Sequence, residues 1–209
     1  LFAIGGIVVV ALAVVGWLIY QNFRPVGSYV NVTSTPPPNS DGSAIGSPDA
    51  KVVVTAYEDF QCPNCRNFTQ QVEERLFEEY VYTGKIRYDY AHFIVIDRGG
   101  SESRHAAEAS ECAAAQGWFW PYHETVFANQ PGENIGDFTD KRLKAFAGAL
   151  ALDADALAVL RRGARPLRGP GGDRGARARR CDPGGGRDDR ARARRAARAR
   201  HRRGLALRQ

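Results

Sequence analysis

The stretch from Lys51 to Tyr90 restricts the possible folds more than any other part of the chain. Val52, Val53 and Val54, with Ala56 and Tyr57, form a continuous apolar run, the pattern of a strand buried on both faces. Pro63 then opens a helix in which Phe68, Val72, Leu76 and Tyr80 recur every fourth residue, with Phe77 widening the stripe. Glu73, Glu74, Glu78 and Glu79 fall mainly off that stripe and read as solvated. Beyond Gly84, Ile86, Tyr88 and Tyr90 alternate with Arg87 and Asp89, a half-buried strand. Strand, helix, strand is a β–α–β unit of an α/β fold, so the two strands are expected to run parallel with a right-handed crossover.

The chain turns helical from Ser101. Ala106, Ala107, Ala109 and Ala113 to Ala115 favour a helix closed by Gly117. Trp118 to Phe127 is an aromatic-rich second helix or turn, in which Trp118, Trp120, Tyr122 and His123 read as core packing rather than as the lining of a peptide groove. Thr139 or Asp137 can cap a further helix, with Leu143, Phe146, Ala147 and Leu150 at i, i+3, i+4 and i+7. His105 on the Ala-rich helix reads as exposed.

The chemistry concentrates at Cys62-Pro63-Asn64-Cys65. Cysteines at i and i+3 in a first helical turn lie on one side, close enough to bridge. Pro63 at the first helical position removes a donor the helix could not use. Cys62 then falls at the N-cap, where unpaired backbone N–H groups and the helix dipole favour thiolate, the species that attacks a disulfide. Cys65, one turn deeper, is placed to resolve the mixed disulfide and release the partner. A structural disulfide, a zinc half-site and a chance pair are the competing readings. No second cysteine pair or paired histidine stands at zinc-ligand spacing, since His92, His105 and His123 are scattered, and neither metal nor cofactor is expected. Glu58 and Asp59, just before Cys62, could accept a proton during exchange, but capping or a solvated loop role fits them better.

The flanks differ from this body. Residues 1–20 carry no charge and are mostly apolar; at about 1.5 Å per residue they span the roughly 30 Å of a bilayer core. A transmembrane helix is expected there, with Trp17 and Tyr20 at one interface; a cleaved signal peptide is the alternative. Residues 21–50, with Pro36-Pro37-Pro38 and then Asn, Ser, Asp and Gly, read as a linker holding the globular domain, residues 51–160, clear of the membrane. Residues 1–160 hold 11 basic and 19 acidic residues, a net of −8, whereas residues 161–209 hold 18 arginines against 4 acidic residues, a net of +14. That tail has no Val, Ile, Thr, Phe, Tyr, Trp or Lys, so it cannot supply core strands. It reads either as out-of-frame translation of a GC-rich coding sequence, the preferred expectation, or as an Arg-rich arm for an anionic polymer or lipid.

The segment Tyr57-Glu58-Asp59-Phe60-Gln61-Cys62-Pro63-Asn64-Cys65, with Glu102-Ser103, the helix from Ala106 to Cys112, Gln116-Gly117-Trp118-Phe119-Trp120, Tyr122-His123, Phe127-Ala128-Asn129-Gln130 and Phe138-Thr139-Asp140, resembles the membrane-anchored, DsbA-like thiol–disulfide oxidoreductases of bacteria. The resemblance runs from about Lys51 to Asp155. It implies a thioredoxin-like fold with a helical insertion, and Cys62 and Cys65 as nucleophilic and resolving thiols. Asn64 stands where relatives often carry His or an aromatic residue. The family pattern continues with a Gly-Thr-Pro-like loop, whose proline is cis, then two antiparallel strands and a final helix. Nothing here matches it, and Pro166, Pro170 and Pro183 lie in an Arg/Gly context. The C-terminal strands and helix are therefore expected to be missing. Many relatives also carry a cysteine on that last helix, suited to pair with the position of Cys112, so Cys112 is expected to be unpaired or buried and Cys181 incidental.

The expected function is an extracytoplasmic oxidoreductase, anchored in the cell membrane by a single pass. It would exchange disulfides with thiols or disulfides of exported proteins and be recycled by a membrane or soluble redox partner; nucleic acid is not an expected partner. The alternatives are an anchored binding protein that uses the Arg-rich arm, or an inactive truncated product whose incomplete sheet leaves the neighbours of the second strand uncovered.

Overall fold

The computed structural model describes residues 2–23, 26–97, 99–154 and 157. Four strands form one sheet: β1 (Ser40–Asp41), β2 (Ala44–Ile45), β3 (Val52–Glu58) and β4 (Ile86–His92), in the order β1-β2-β4-β3. β3 and β4 run parallel, in register from Val52 opposite Ile86 to Glu58 opposite His92, as the β–α–β pattern predicts. In β4, Ile86, Tyr88 and Tyr90 enter the core, while Arg87 and Asp89 point away and pair with each other at 2.9 Å.

The expectation for β3 is corrected. Val52 and Val53 are 53% and 54% exposed, so the strand is not buried on both faces. Among the described residues β3 has one neighbour, β4, which leaves it at the sheet edge. Only Val54 and Ala56 pack against the core from it. The uncovered strand is therefore the first of the two, because β2 covers the far side of β4.

A second correction concerns the segment read as a linker. β1 and β2 lie inside residues 21–50, and β2 pairs antiparallel with β4, placing Ile45 in the core. Gly46 turns the chain back at φ +106; a Cβ there would lie 3.0 Å from the Ile86 carbonyl oxygen and from Val81 Cγ1, so only glycine fits. Upstream, the Val30 N–H donates to Asn129 Oδ1 at 2.7 Å, and Asn129 Nδ2 donates to the Val30 carbonyl at 2.8 Å. Tyr29 meets Phe146 edge-on at 5.4 Å. Val30 lies in no strand, and one carboxamide, with one acceptor and a donor pair, satisfies its backbone N–H and carbonyl instead.

The helix after Cys62 is continuous but irregular: α2 (Pro63–Phe68), a π-helical stretch Thr69–Glu73, α3 (Glu74–Leu76) and a second π stretch Phe77–Val81. A π turn bonds i to i+5 and holds more residues than an α turn, so the inward line shifts phase. Phe68 and Leu76 pack partly against the core, but the buried positions are Glu73, Phe77 and Val81, while Val72 and Tyr80 are 46% and 43% exposed. Glu73, expected in solvent, is 4% exposed.

The helical insertion follows the sequence pattern closely. α4 (Glu102–Ala115) ends before Gly117, whose φ of +78 suits the reversal. α5 (Phe119–Ala128) buries Trp120, Tyr122 and His123, with Trp118 partly buried against the same core. α6 (Asp140–Ala149) is capped by Thr139 Oγ1, which accepts from the Arg142 N–H, and buries Leu143, Phe146 and Ala147, with Leu150 just beyond its end. Each fully buried large apolar side chain contributes about 1.5–3 kcal/mol, so the aromatic core of α5 and β4 is a main source of stability. His105 is half-buried, with Nδ1 3.8 Å from Asp140.

α1 (Phe2–Phe23) is helical over 22 residues, and its described side chains, including Val10, Leu12, Trp17 and Leu18, are exposed. Several α1 side chains lie outside the described set, and counted over the described residues alone no helix is long and apolar enough to cross a membrane. No strand follows β4 among the described residues. Pro166, Pro170, Pro183 and the arginine-rich tail lie outside them.

Candidate active site

Cys62 is the N-cap residue of α2, with extended backbone at φ −73 and ψ 119, and Pro63 follows in the first turn. Its own N–H donates to the Asp59 carbonyl at 2.9 Å, and its carbonyl accepts from the Arg66 N–H at 3.1 Å. Cys62 and Cys65 are both free thiols and both half-buried. Burial pushes the Cys65 thiol up to about 12; a hydrogen bond from the Asp59 backbone works against this, while Cys62 and the charge of Glu58 add to it. Cys65 thus keeps its proton until something removes it.

Asp59 anchors the loop that presents the pair. It is buried, and its two carboxylate oxygens accept four hydrogen bonds. Oδ1 takes the Gln61 N–H at 2.9 Å and the Ser103 hydroxyl, and Oδ2 takes the Val95 and Ile96 N–H groups at 2.9 and 3.0 Å. Gln61 extends the network: Nε2 donates to Ser103 Oγ at 2.8 Å and Oε1 accepts the Asn134 N–H at 2.6 Å. Asp97 accepts from the N–H groups of Ser103 and Arg104, capping α4. Glu102 accepts from Gly136 and Phe138. One buried acid therefore couples the cysteine loop, the segment after β4 and the start of the helical insertion. Neither Asp59 nor Glu58 is a solvated loop residue, which corrects the sequence expectation.

Glu58 sits at the end of β3, 4% exposed, with Oε1 3.4 Å from the Tyr88 hydroxyl. Burial raises its carboxyl from the ordinary 4.5 to about 7, and the Tyr88 hydrogen bond only partly opposes this. The folded state thus holds this proton more tightly than the unfolded chain. Stability from it is complete below about 4.5 and is lost as pH rises through about 7. Phe60 packs over the same region, its ring centroid 4.9 Å from Phe127 and 5.7 Å from Tyr90.

The sequence points to the thiols and the acids beside them, but not to Ser103, Asp97 and Asn134 as parts of one polar framework with Asp59 and Gln61, nor to the burial of Glu73. For Glu73 the only available signal was its i, i+4, i+8 relation to Phe77 and Val81. Cys112, expected to be unpaired or buried, is buried and is disulfide-bonded rather than unpaired; Cys181 lies outside the described residues. No group of three or more His, Cys, Asp or Glu suited to a metal ion occurs among the described residues.

A parallel β–α–β unit whose helix starts on paired cysteines, followed by a helical insertion, defines a thioredoxin-like protein. The thioredoxin family profile matches residues 39–163, more than half of the chain, and the chain belongs to that family. It is 34% identical over 93 residues to a probable disulfide bond formation protein D of Bacillus cereus, covering 44% of this chain and 42% of that one. It is also 36% identical over 110 residues to a protein of Salinispora tropica named Na(+)/H(+) antiporter NhaA 3, covering 53% of this chain and 15% of that one. The chain thus spans less than half the length of these curated relatives. Among solved structures it is similar in fold to oxidised BdbD of Bacillus subtilis, with a TM-score of 0.50 and 24% identity over 63% of this chain and 69% of that one.

Proposed function

We propose that the chain is a thiol–disulfide oxidoreductase in which Cys62 is the nucleophile and Cys65 the resolving thiol. The observation that carries this is the pair itself: two free, half-buried thiols at a helix start, one at the N-cap, the other one turn on and held protonated by its burial. In the reductive direction, Cys62 thiolate attacks a partner disulfide. The partner's S–S bond breaks, a mixed disulfide forms, and one partner thiolate leaves. Cys65 then gives its proton to a base and attacks Cys62 Sγ, releasing the second partner thiolate. Two electrons pass to the partner and a Cys62–Cys65 disulfide remains; the oxidative direction is the same sequence reversed. Glu58, buried at the end of β3 and close enough for its charge to act on Cys65, is the candidate base, with a carboxyl raised by burial to about 7.

The similarity to a protein named for disulfide bond formation supports protein thiols or disulfides as the substrates; that these belong to exported proteins, and that a separate redox partner recycles the pair, is part of the same proposal. The uncharged, mostly apolar sequence of residues 1–20 supports a membrane anchor with the body outside the cytoplasm. Retention of the full chain in membranes through alkaline carbonate washing is expected; release would remove the anchor. The redox reading is tested by exchange assays on the Cys62→Ala chain with an oxidised or reduced test protein, where activity is expected to vanish.

A further inference from the structure

The two edges of the sheet are unlike. β1, on one side, has two residues and ends on Asp41, and a short, charged edge resists further pairing. β3, on the other, has seven residues, with no charge, proline or glycine from Val52 to Tyr57. Val52, Val53 and Tyr57 are each more than half exposed. A long apolar edge of this kind is a template for another strand.

The register with β4 fixes which backbone groups are free. Glu58 stands opposite His92, and its carbonyl accepts from the Phe93 N–H at 2.9 Å. In a parallel ladder alternate residues turn both backbone groups to one neighbour, and those between turn theirs away. Val52, Val54, Ala56 and Glu58 therefore face β4, while Val53, Thr55 and Tyr57 present their N–H and C=O groups to the open edge. Nothing among the described residues pairs with them there.

Two observations choose the strand that fits. The arginine-rich tail after residue 160 has no Val, Ile, Thr, Phe, Tyr or Trp, so its sequence is a poor strand former. β3, by contrast, is complementary to itself. When two copies run antiparallel about a two-fold axis at Thr55, Thr55 meets Thr55 and Val53 meets Tyr57 on either side. Each of these pairs joins residues whose backbone groups point outward, so each exchanges two N–H···O=C bonds. Moving the axis to Val53 or Tyr57 leaves outward groups at the far end of the strand unpaired. The side chains match as well, since Thr–Thr and aromatic–β-branched pairs are favourable cross-strand neighbours. Exposed Lys51 comes opposite Asp59 of the second copy, so unlike charges meet at the ends. On the same face of the sheet Arg87 and Asp89 already neutralise each other.

We propose that the chain forms a homodimer by antiparallel pairing of β3 with β3 of a second copy, which joins the two sheets into one. The cysteine loops then lie at opposite ends of the joined strands: Asp59 and its counterpart stand about 27 Å apart, at about 3.4 Å per residue. Both cysteine pairs stay open to a partner protein, and the dimer does not depend on the redox reading.

Sedimentation of the full chain in density-matched detergent is expected to show a dimer that dissociates on dilution. Thr55→Pro removes an outward N–H and leaves the β3–β4 ladder intact, and Val53→Lys sets a charge on the edge. Each is expected to weaken dimerisation by about tenfold or more, with circular dichroism unchanged. Because anchor helices can also associate, oxidative cross-linking in a C62S/C65S background reads the register. Thr55→Cys is expected to link to itself, its paired Cα atoms lying about 5.5 Å apart. Val53→Cys alone is expected not to link, whereas mixed Val53→Cys and Tyr57→Cys chains are. A monomer at every concentration, a dimer that both substitutions leave unchanged, or a Val53→Cys chain that links to itself as readily as Thr55→Cys would overturn the proposal.

Discussion

Cys62→Ala is expected to cut disulfide exchange by roughly a thousandfold or more, down to the uncatalysed background, because it removes the atom that forms the mixed disulfide. The substitution should leave the fold intact. Cys62 is half-buried, its side chain makes no capping hydrogen bond, and both of its backbone hydrogen bonds survive in alanine. The loss is therefore predicted in the rate and not in the melting temperature. Cys65→Ala gives a different signature. The first attack remains possible, the second does not, and single-turnover adducts accumulate in place of released product. Exchange by Cys62→Ala at more than a few per cent of the wild-type rate would place the chemistry elsewhere.

The second large effect is predicted at Asp59. Alanine there strands the donors of Gln61, Ser103, Val95 and Ile96, which now converge on one buried carboxylate. An unsatisfied buried donor costs about 1–3 kcal/mol, and water can reach some of the four, so a loss of about 3–5 kcal/mol is expected. Denaturant unfolding of Asp59→Ala measures it. Asp59→Asn keeps the volume but turns an amide N–H₂ toward N–H donors, so it should recover little of the loss. Exchange should fall as well, because the lost carboxylate fixes the loop through the Gln61, Val95 and Ile96 N–H groups, and that loop sets the angle at which the Cys62 thiol is presented. A stability change within about 0.5 kcal/mol, the usual size for a surface substitution, would show that Asp59 is not the anchor described.

The readability of this molecule from sequence follows the range of the interactions involved. β4, α4 and α6 were legible because alternation, alanine content and an i, i+3, i+4, i+7 pattern are local. The thiols were legible for the same reason: C-P-x-C after a strand specifies its own helix start. β3 was misjudged because three valines in a row say that a strand forms, not how many neighbours it has. The phase of the helix after Cys62 failed because π turns shift the inward face by a residue, which carried Glu73 from the expected solvent side into the core. The segment before Lys51 reads as a linker because its ordering depends on partners far away in the chain, Asn129 and β4, that composition does not reveal. Asp59 was ambiguous for the mirror reason. Its partners at Val95, Ile96 and Ser103 are 36 or more residues away.

The site also grades from half-buried to buried. Cys62 and Cys65 are half-buried, and Glu58, Glu73 and Tyr88 are buried. Low dielectric surroundings raise the cost of each charge, so the state of one group is felt by the next. A surface pair of cysteines with no such backing could form a disulfide, but it would lack the buried carboxyl proposed above as base for the resolving thiol.

The most direct test of the central claim is to trap the intermediate. The Cys65→Ser chain, mixed with a protein carrying an accessible disulfide, is expected to accumulate a covalent complex that dithiothreitol reverses and in which mass spectrometry places the link on Cys62. The Cys62→Ser chain under the same conditions should form no comparable complex. A complex linked through Cys65, or none with either chain, would contradict the assignment of Cys62 as nucleophile and Cys65 as resolving thiol.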